Sequence, residues 1–361
     1  MTQSASEKKL WIDVLTVISC FAVVMLHTNM KAFWLRPDGR LWLTATLIET
    51  LFYYAVPVFF MITGYTLMDY RQRYDTATFL QKRIKRTVIP FLFWSLFGLW
   101  LYYAKYSLLP DETLTALTGG ILAHRYTEIY WFFIPLFAVY LSLPFFSLIP
   151  LETRPQAFRY ALIYGFISYS ILPVASRLSG IDYDPAIAAP FLGGYLFYAL
   201  LGYCLGTYPI PRHLRIMLYL LGIGGFLIQY FGTLCLSPPD KVDDTYKGYL
   251  NFPCVLYASA IFTWCRYHDY RWLQQRRHAL RLLGVLKNAA LGVYLLHIYL
   301  IWQIPEWLDP IGTAAAQSAH TASALEKSIA FRTIGALGIY CACVAISQLF
   351  RRIPLLRALI P

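Results

Sequence analysis

Apolar residues in this chain come in long, nearly unbroken runs separated by short polar segments. The runs cover about 11–30, 45–68, 87–107, 128–149, 158–176, 189–207, 214–236, 249–266, 285–304 and 330–350, each near the roughly 20 residues that carry a helix across hydrocarbon. In lipid the backbone must satisfy its own hydrogen bonds, which leaves helices or closed barrels. Continuous rather than alternating apolar positions select helices. The pattern therefore predicts an all-α polytopic membrane protein, a bundle of about ten transmembrane helices. The fifth run is the weakest, because Ser168, Ser170 and Pro173 interrupt it. The longest connections are about 20 residues, too short for a separate soluble domain. Residues 1–361 read as a single integral membrane domain with a short cytoplasmic N-terminal segment, 1–10. The first run is too long for a signal-peptide core and reads as a retained helix.

Composition agrees. Hydrophobic residues make up 58% of the chain and charged residues 14%, against about 25% charged in a soluble domain. The net charge of +12 raises nucleic acid as a partner, and its distribution removes it. With the N-terminus in the cytoplasm, the inner segments hold about two-thirds of all Lys and Arg, whereas the outer ones hold Asp111, Glu112, Asp182, Asp184, Asp240, Asp243, Asp244, Glu306 and Asp309. This positive-inside alternation places both termini in the cytoplasm and makes the lipid bilayer the partner. The seven cysteines lie in or beside apolar runs without a C-x-x-C pair, so they read as small hydrophobes, with neither a disulfide framework nor a metal site. P-loop, dinucleotide, H-E-x-x-H and G-x-S-x-G signatures are lacking, as is an internal repeat.

Against this background two histidines stand out. His27 lies near the outer end of the first run and His297 inside the ninth, at broadly similar depth. Ionisable side chains inside a membrane are costly and are kept mainly for function. A neutral imidazole there can take a proton from a hydroxyl, as a general base. It can equally be a packing residue bonded to a backbone carbonyl. Arg83 and Arg86 are three residues apart on one helical face of an inner segment. Such a pair suits phosphate oxygens of a nucleotide-linked donor, or else anchors lipid headgroups. Asp13 lies near the inner end of the first run. Glu128, Tyr130 and Trp131 open the fourth run at the outer interface, where aromatic residues are common. Pro57 in the second run can kink it.

Several segments, in order, carry a resemblance. They are Trp11-Ile12-Asp13-Val14-Leu15 with Val23-Val24-Met25-Leu26-His27, then Phe59-Phe60-Met61-Ile62-Thr63-Gly64-Tyr65. Arg83-x-x-Arg86 before Ile-x-Pro follows, then Tyr130-Trp131-Phe132-Phe133 with a later Tyr140–Pro144, and Tyr294-Leu295-Leu296-His297. Over most of its length the chain resembles the acyltransferase type 3 family of integral membrane enzymes. The resemblance implies about ten spans and transfer of an acyl group, often acetyl, to a carbohydrate hydroxyl. By position it implies that His27 is catalytic and that Arg83 and Arg86 handle the acyl-CoA donor, and it matches His297 to a recurring histidine; Asp13, Glu128, Tyr130 and Trp131 are read beside these as candidate supporting residues. Two positions depart from the family pattern. Thr16 stands where many members have arginine, and Glu128-Ile129 where many have a histidine before the aromatic cluster.

The resulting expectation is a membrane-bound O-acyltransferase of a bacterial inner (cytoplasmic) membrane. It takes acyl-CoA, in particular acetyl-CoA, as co-substrate and a cell-envelope glycan as acceptor, with no permanently bound cofactor and no metal. His27 acts as general base or as a transient acyl carrier. A transporter or flippase for a glycan or lipid-linked intermediate is the alternative, as is an inactive regulatory relative suggested by Thr16.

Overall fold

The computed structural model describes residues 7–35, 38–106, 114–354 and 356–360. Among these residues there are helices and turns and no strand. The outer-segment acids Asp111 and Glu112 lie outside the described residues, as do residues 1–6.

Helix α1 (Glu7–Trp34) leads to α2 (Gly39–Phe52) and α3 (Ala55–Leu67). A π-helical turn over Ile84–Val88 joins α4 (Thr76–Arg83) to α5 (Ile89–Tyr106). After α6 (Leu114–Leu122), a 3-10 turn over Glu128–Phe132 runs into α7 (Phe133–Phe146). The pair α8 (Arg154–Gly165) and α9 (Leu172–Ser179) flanks a second π segment, Phe166–Ile171. There follow α10 (Leu196–Thr207), α11 (Arg212–Leu236), α12 (Phe252–Tyr267) and a short α13 (Arg271–Gln274) before the long α14 (Arg277–Leu308). Two short helices, α15 (Pro310–Ser318) and α16 (Ala324–Lys327), precede a third π segment, Phe331–Gly335, and α17 (Ala336–Arg352).

Among the described residues, eight stretches are long and apolar enough to cross a membrane: Leu10–Trp34, Gly39–Gln72, Thr76–Ala104, Glu128–Phe146, Arg154–Ser179, Arg212–Leu236, Arg277–Leu308 and Phe331–Arg352. The sixth and eighth runs of the sequence form the shorter helices α10, of 12 residues, and α12, of 16. The expected kink in the second run falls at Tyr53–Tyr54, between α2 and α3, with Pro57 buried in the first turn of α3. Proline is tolerated there because that turn's N–H groups lack helical acceptors. Two of the π segments have an equally local cause. Pro90 and Pro173 have no N–H to offer the carbonyl four residues back, and the helix widens just before each.

A lipid-facing surface is written on the exposed positions. On α11, Leu220, Ile223, Leu227 and Phe231 are exposed while Gly222, Gly225, Gln229 and Thr233 are buried. That arrangement is inverted relative to a water-soluble helix. Small residues bring helices together where no hydrophobic force drives them. A methyl group added at Gly64 of α3 would lie 1.8 Å from the Ala199 carbonyl oxygen of α10, and one at Gly202 of α10 would lie 2.2 Å from that of Met61. These two glycines let the backbones of α3 and α10 touch.

The helix pair that matters most for chemistry is α1 with α14. Cys20 Sγ lies 3.5 Å from the Ala290 carbonyl oxygen, and the rings of His27 and His297 meet seven residues further along both helices. The Asp13 carboxylate pairs with Lys287 at 2.6 Å, further back along both. Contacts in rising order on both helices make them parallel, as the predicted alternation requires of the first and ninth runs.

Candidate active site

His297 is fully buried in α14, and its Nδ1 lies 2.9 Å from the carbonyl oxygen of Val293, one turn earlier. A carbonyl only accepts, so Nδ1 carries the proton. In the neutral ring Nε2 is then the acceptor, and it lies 2.8 Å from Nδ1 of His27. With both rings neutral, His27 therefore donates through Nδ1–H and keeps its lone pair on Nε2. His27 is only partly buried, whereas His297 is sealed in the bundle. The arrangement is an imidazole held from behind with its basic nitrogen facing away from its holder. Such a nitrogen can accept a proton from a hydroxyl or attack an acyl carbon.

The 3-10 turn that precedes α7 clamps α14 beside this pair. Tyr130 donates its hydroxyl to the Leu295 carbonyl at 2.9 Å, and Tyr294 donates in return to the carbonyl of Ile129. The Tyr294 ring centroid is 5.8 Å from that of His297. Trp131 points elsewhere and stacks on Tyr249 at 5.6 Å, with Tyr249 stacked on Tyr53 at 4.3 Å. Glu128 is exposed at the start of the turn, and no contact joins it to the histidines. Of the supporting residues expected from the sequence, the structure brings His297 and Tyr130 to the site, holds Asp13 against Lys287 nearer the start of both helices, and leaves Trp131 and Glu128 outside it.

A cavity of about 310 Å³ approaches the pair from the Asp13 end of the bundle. Its polar wall carries Arg83, Arg86, Lys287 and Arg351, together with Thr16 and Thr63, and no acidic residue lines it. Tyr294 also lines it, so the cavity wall comes within one side chain of His297. Arg83 closes α4 and Arg86 sits in the π turn, a widened geometry often found at functional sites. The Arg83 guanidinium lies over the rings of Phe79, at 5.8 Å, and Tyr140, at 5.6 Å. Its Nε is buried without a hydrogen-bond partner. A buried donor left unmatched costs about 1–3 kcal/mol.

Thr16 donates to the Ile12 carbonyl at 2.7 Å and presents only a small side chain to the cavity. The positive charge on that side comes instead from Lys287 and Arg351, which sequence reasoning assigned only to topology. A second residue missed in the sequence is Arg332, 1% exposed within the last span. It donates to Asn29 Oδ1 at 3.0 Å and to Thr44 Oγ1 at 2.9 Å. A charged residue inside an apolar run was the available signal.

A pair of imidazoles near a cationic cavity, inside a helical membrane bundle, fits a membrane-embedded group-transfer enzyme. A family model described as an acyltransferase domain matches residues 9–348, and the chain belongs to this family, acyltransferase type 3: it is a multi-pass membrane acyltransferase. Among curated proteins, YfiQ of Bacillus subtilis (strain 168), provisionally named a membrane-bound acyltransferase, is 23% identical over 304 residues, which is 80% of each chain. No solved structure matches the chain.

Proposed function

We propose that the enzyme moves an acyl group, acetyl above all, from cytoplasmic acyl-CoA to a hydroxyl of a cell-envelope glycan at a bacterial inner membrane. Both termini are cytoplasmic in this reading, which the distribution of Lys and Arg supports. The observation that carries it is the free Nε2 of His27, backed by His297 at 2.8 Å and approached by a cation-lined cavity.

The phosphates of the donor rest against Arg83 and Arg86, and its thioester arm runs past Thr16 and Thr63 towards Tyr294. From Thr16 to His27 the helix rises roughly 16 Å, a gap suited to a long flexible arm rather than to a compact ligand. At its end, His27 Nε2 takes the proton of the acceptor hydroxyl. The acceptor oxygen bonds to the thioester carbonyl carbon, and the tetrahedral adduct collapses with loss of the C–S bond. The thiolate of CoA leaves with the proton that His27 holds. His297 acts through His27. Its Nε2 accepts the Nδ1–H bond that strengthens when His27 becomes imidazolium, and its own Nδ1–H stays on Val293.

The test is the acetyl mass shift on envelope glycans in cells with the wild-type protein, His27→Ala or no protein, together with CoA release by the purified enzyme. The reading requires both signals with wild type and neither with His27→Ala at equal membrane abundance. Full acetylation by His27→Ala would overturn it.

A further inference from the structure

The cavity has two cationic walls, and only one is used by the donor contacts described so far. One wall is Arg83 and Arg86, from α4 and the π turn. The other is Lys287 from α14 and Arg351 from the last turn of α17. Both cations of the second wall are held by contacts that leave donors spare. Arg351 gives one Nη1 hydrogen to the Asn288 carbonyl at 2.5 Å, and Lys287 gives one to Asp13 at 2.6 Å. A guanidinium has five N–H donors and an ammonium three, so most remain for a ligand. No carboxylate is among the lining residues, and two pairs of cations carried by different helices face one cavity. A ligand that carries more than one phosphate group can engage both pairs at once.

We propose, on the acyl-CoA reading above, that Arg351 with Lys287 forms a separate subsite for the 3′-phosphate of the donor nucleotide, while Arg83 and Arg86 hold its pyrophosphate. Stoichiometry of charge and shape supports this division. Two convergent guanidiniums match the two phosphoryl groups of a pyrophosphate, since each can make a paired contact. One anchored arginine beside a lysine matches a single phosphate monoester. The subsite would make the enzyme selective for CoA thioesters over those lacking the 3′-phosphate. It would also tie donor binding to α14, the helix that carries His297.

The experiment is calorimetric binding of CoA and of 3′-dephospho-CoA to the purified full-length protein in lipid nanodiscs. Wild type is expected to prefer CoA by about 10-fold or more, the worth of a charge-assisted contact. Arg351→Gln should bring the ratio near one while leaving 3′-dephospho-CoA binding within about twofold of wild type, which doubles as the control for folding. Arg351→Lys should restore part of the preference. Arg83→Gln should weaken both ligands and keep their ratio. A wild type that binds both ligands equally, or an Arg351→Gln variant that keeps the preference, would overturn the subsite and leave the acyl-CoA reading standing. If wild type binds neither ligand, the acyl-CoA reading itself fails and the subsite with it.

Discussion

Nε2 of His297 sits 2.8 Å from Nδ1 of His27, although 270 residues separate them in the chain. The contact fixes the His27 tautomer and leaves Nε2 as the only basic atom of the pair free for chemistry. His27→Ala should therefore lower kcat by about 10²–10⁴, the usual worth of a general base. His297→Leu should lower kcat by a smaller factor, with the KM for the donor little changed. His297→Gln should recover part of the loss, because its amide oxygen can accept from Nδ1–H. Steady-state CoA release by the three variants checks the order; equal loss in His297→Gln and His297→Leu would mean that His297 only fills space.

Tyr130 ties the turn before α7 to α14 through its bond to the Leu295 carbonyl. Tyr130→Phe removes that bond and keeps the ring. The expected cost is about 0.5–1.5 kcal/mol of stability, with kcat reduced because α14 carries His297. Thermal unfolding in detergent and turnover, measured on the same preparation, report the two effects. An unchanged Tm together with unchanged turnover would show that the reciprocal Tyr294 bond to Ile129 suffices alone.

Glu49 and Lys247 form an ion pair at 3.0 Å with both side chains less than 10% exposed. The Lys247 ammonium lies 4.3 Å from the Tyr53 ring centroid and 4.7 Å from that of Trp34. Removing one partner of a buried pair leaves a bare charge and costs about 3–5 kcal/mol. Lys247→Met should lower stability by that order, and Lys247→Met combined with Glu49→Gln should regain much of it. A double variant no better than the single one would show that the aromatic cage, and not the ion pair, holds this corner.

Gly64 admits no side chain, since an added methyl would meet the Ala199 carbonyl at 1.8 Å. Gly64→Ala should separate α3 from α10 and cost about 1–3 kcal/mol, as overpacking does. Gly224→Ala in α11 is the control, because nothing lies within 4 Å of its added methyl, and alanine favours a helix. The folded yield of the two variants, read by size-exclusion chromatography, should differ clearly.

The helical membrane fold was legible because burial in lipid dictates long apolar runs, and each run found in the sequence has a helix at its centre. Ser168, Ser170 and Pro173 marked the weak fifth run, and the π segment Phe166–Ile171 lies there. Depth was legible too, since counting residues placed His27 and His297 at broadly similar depth, and their rings meet. What the sequence could not show was facing. Rotation of α14 about its axis decides whether His297 meets His27, and that rotation is set by packing against many helices at once. For the same reason Lys287 and Arg351 read only as inner-side charges, although they line the cavity with Arg83 and Arg86. Glu128 and Trp131 were placed near the chemistry by their neighbourhood in the chain. Tyr130 turns inward from the 3-10 turn, while Trp131 beside it joins the stack with Tyr249 and Tyr53.

The pairing of α1 with α14 also joins residues made early and late in synthesis. His27 leaves the ribosome with the first helix, and His297 only after most of the others have been made. Throughout that interval the membrane holds an imidazole without its partner, and a product cut short before α14 lacks the holder of its base and half of its cationic cavity. The paired imidazoles can therefore form only once α14 has joined α1 in the membrane.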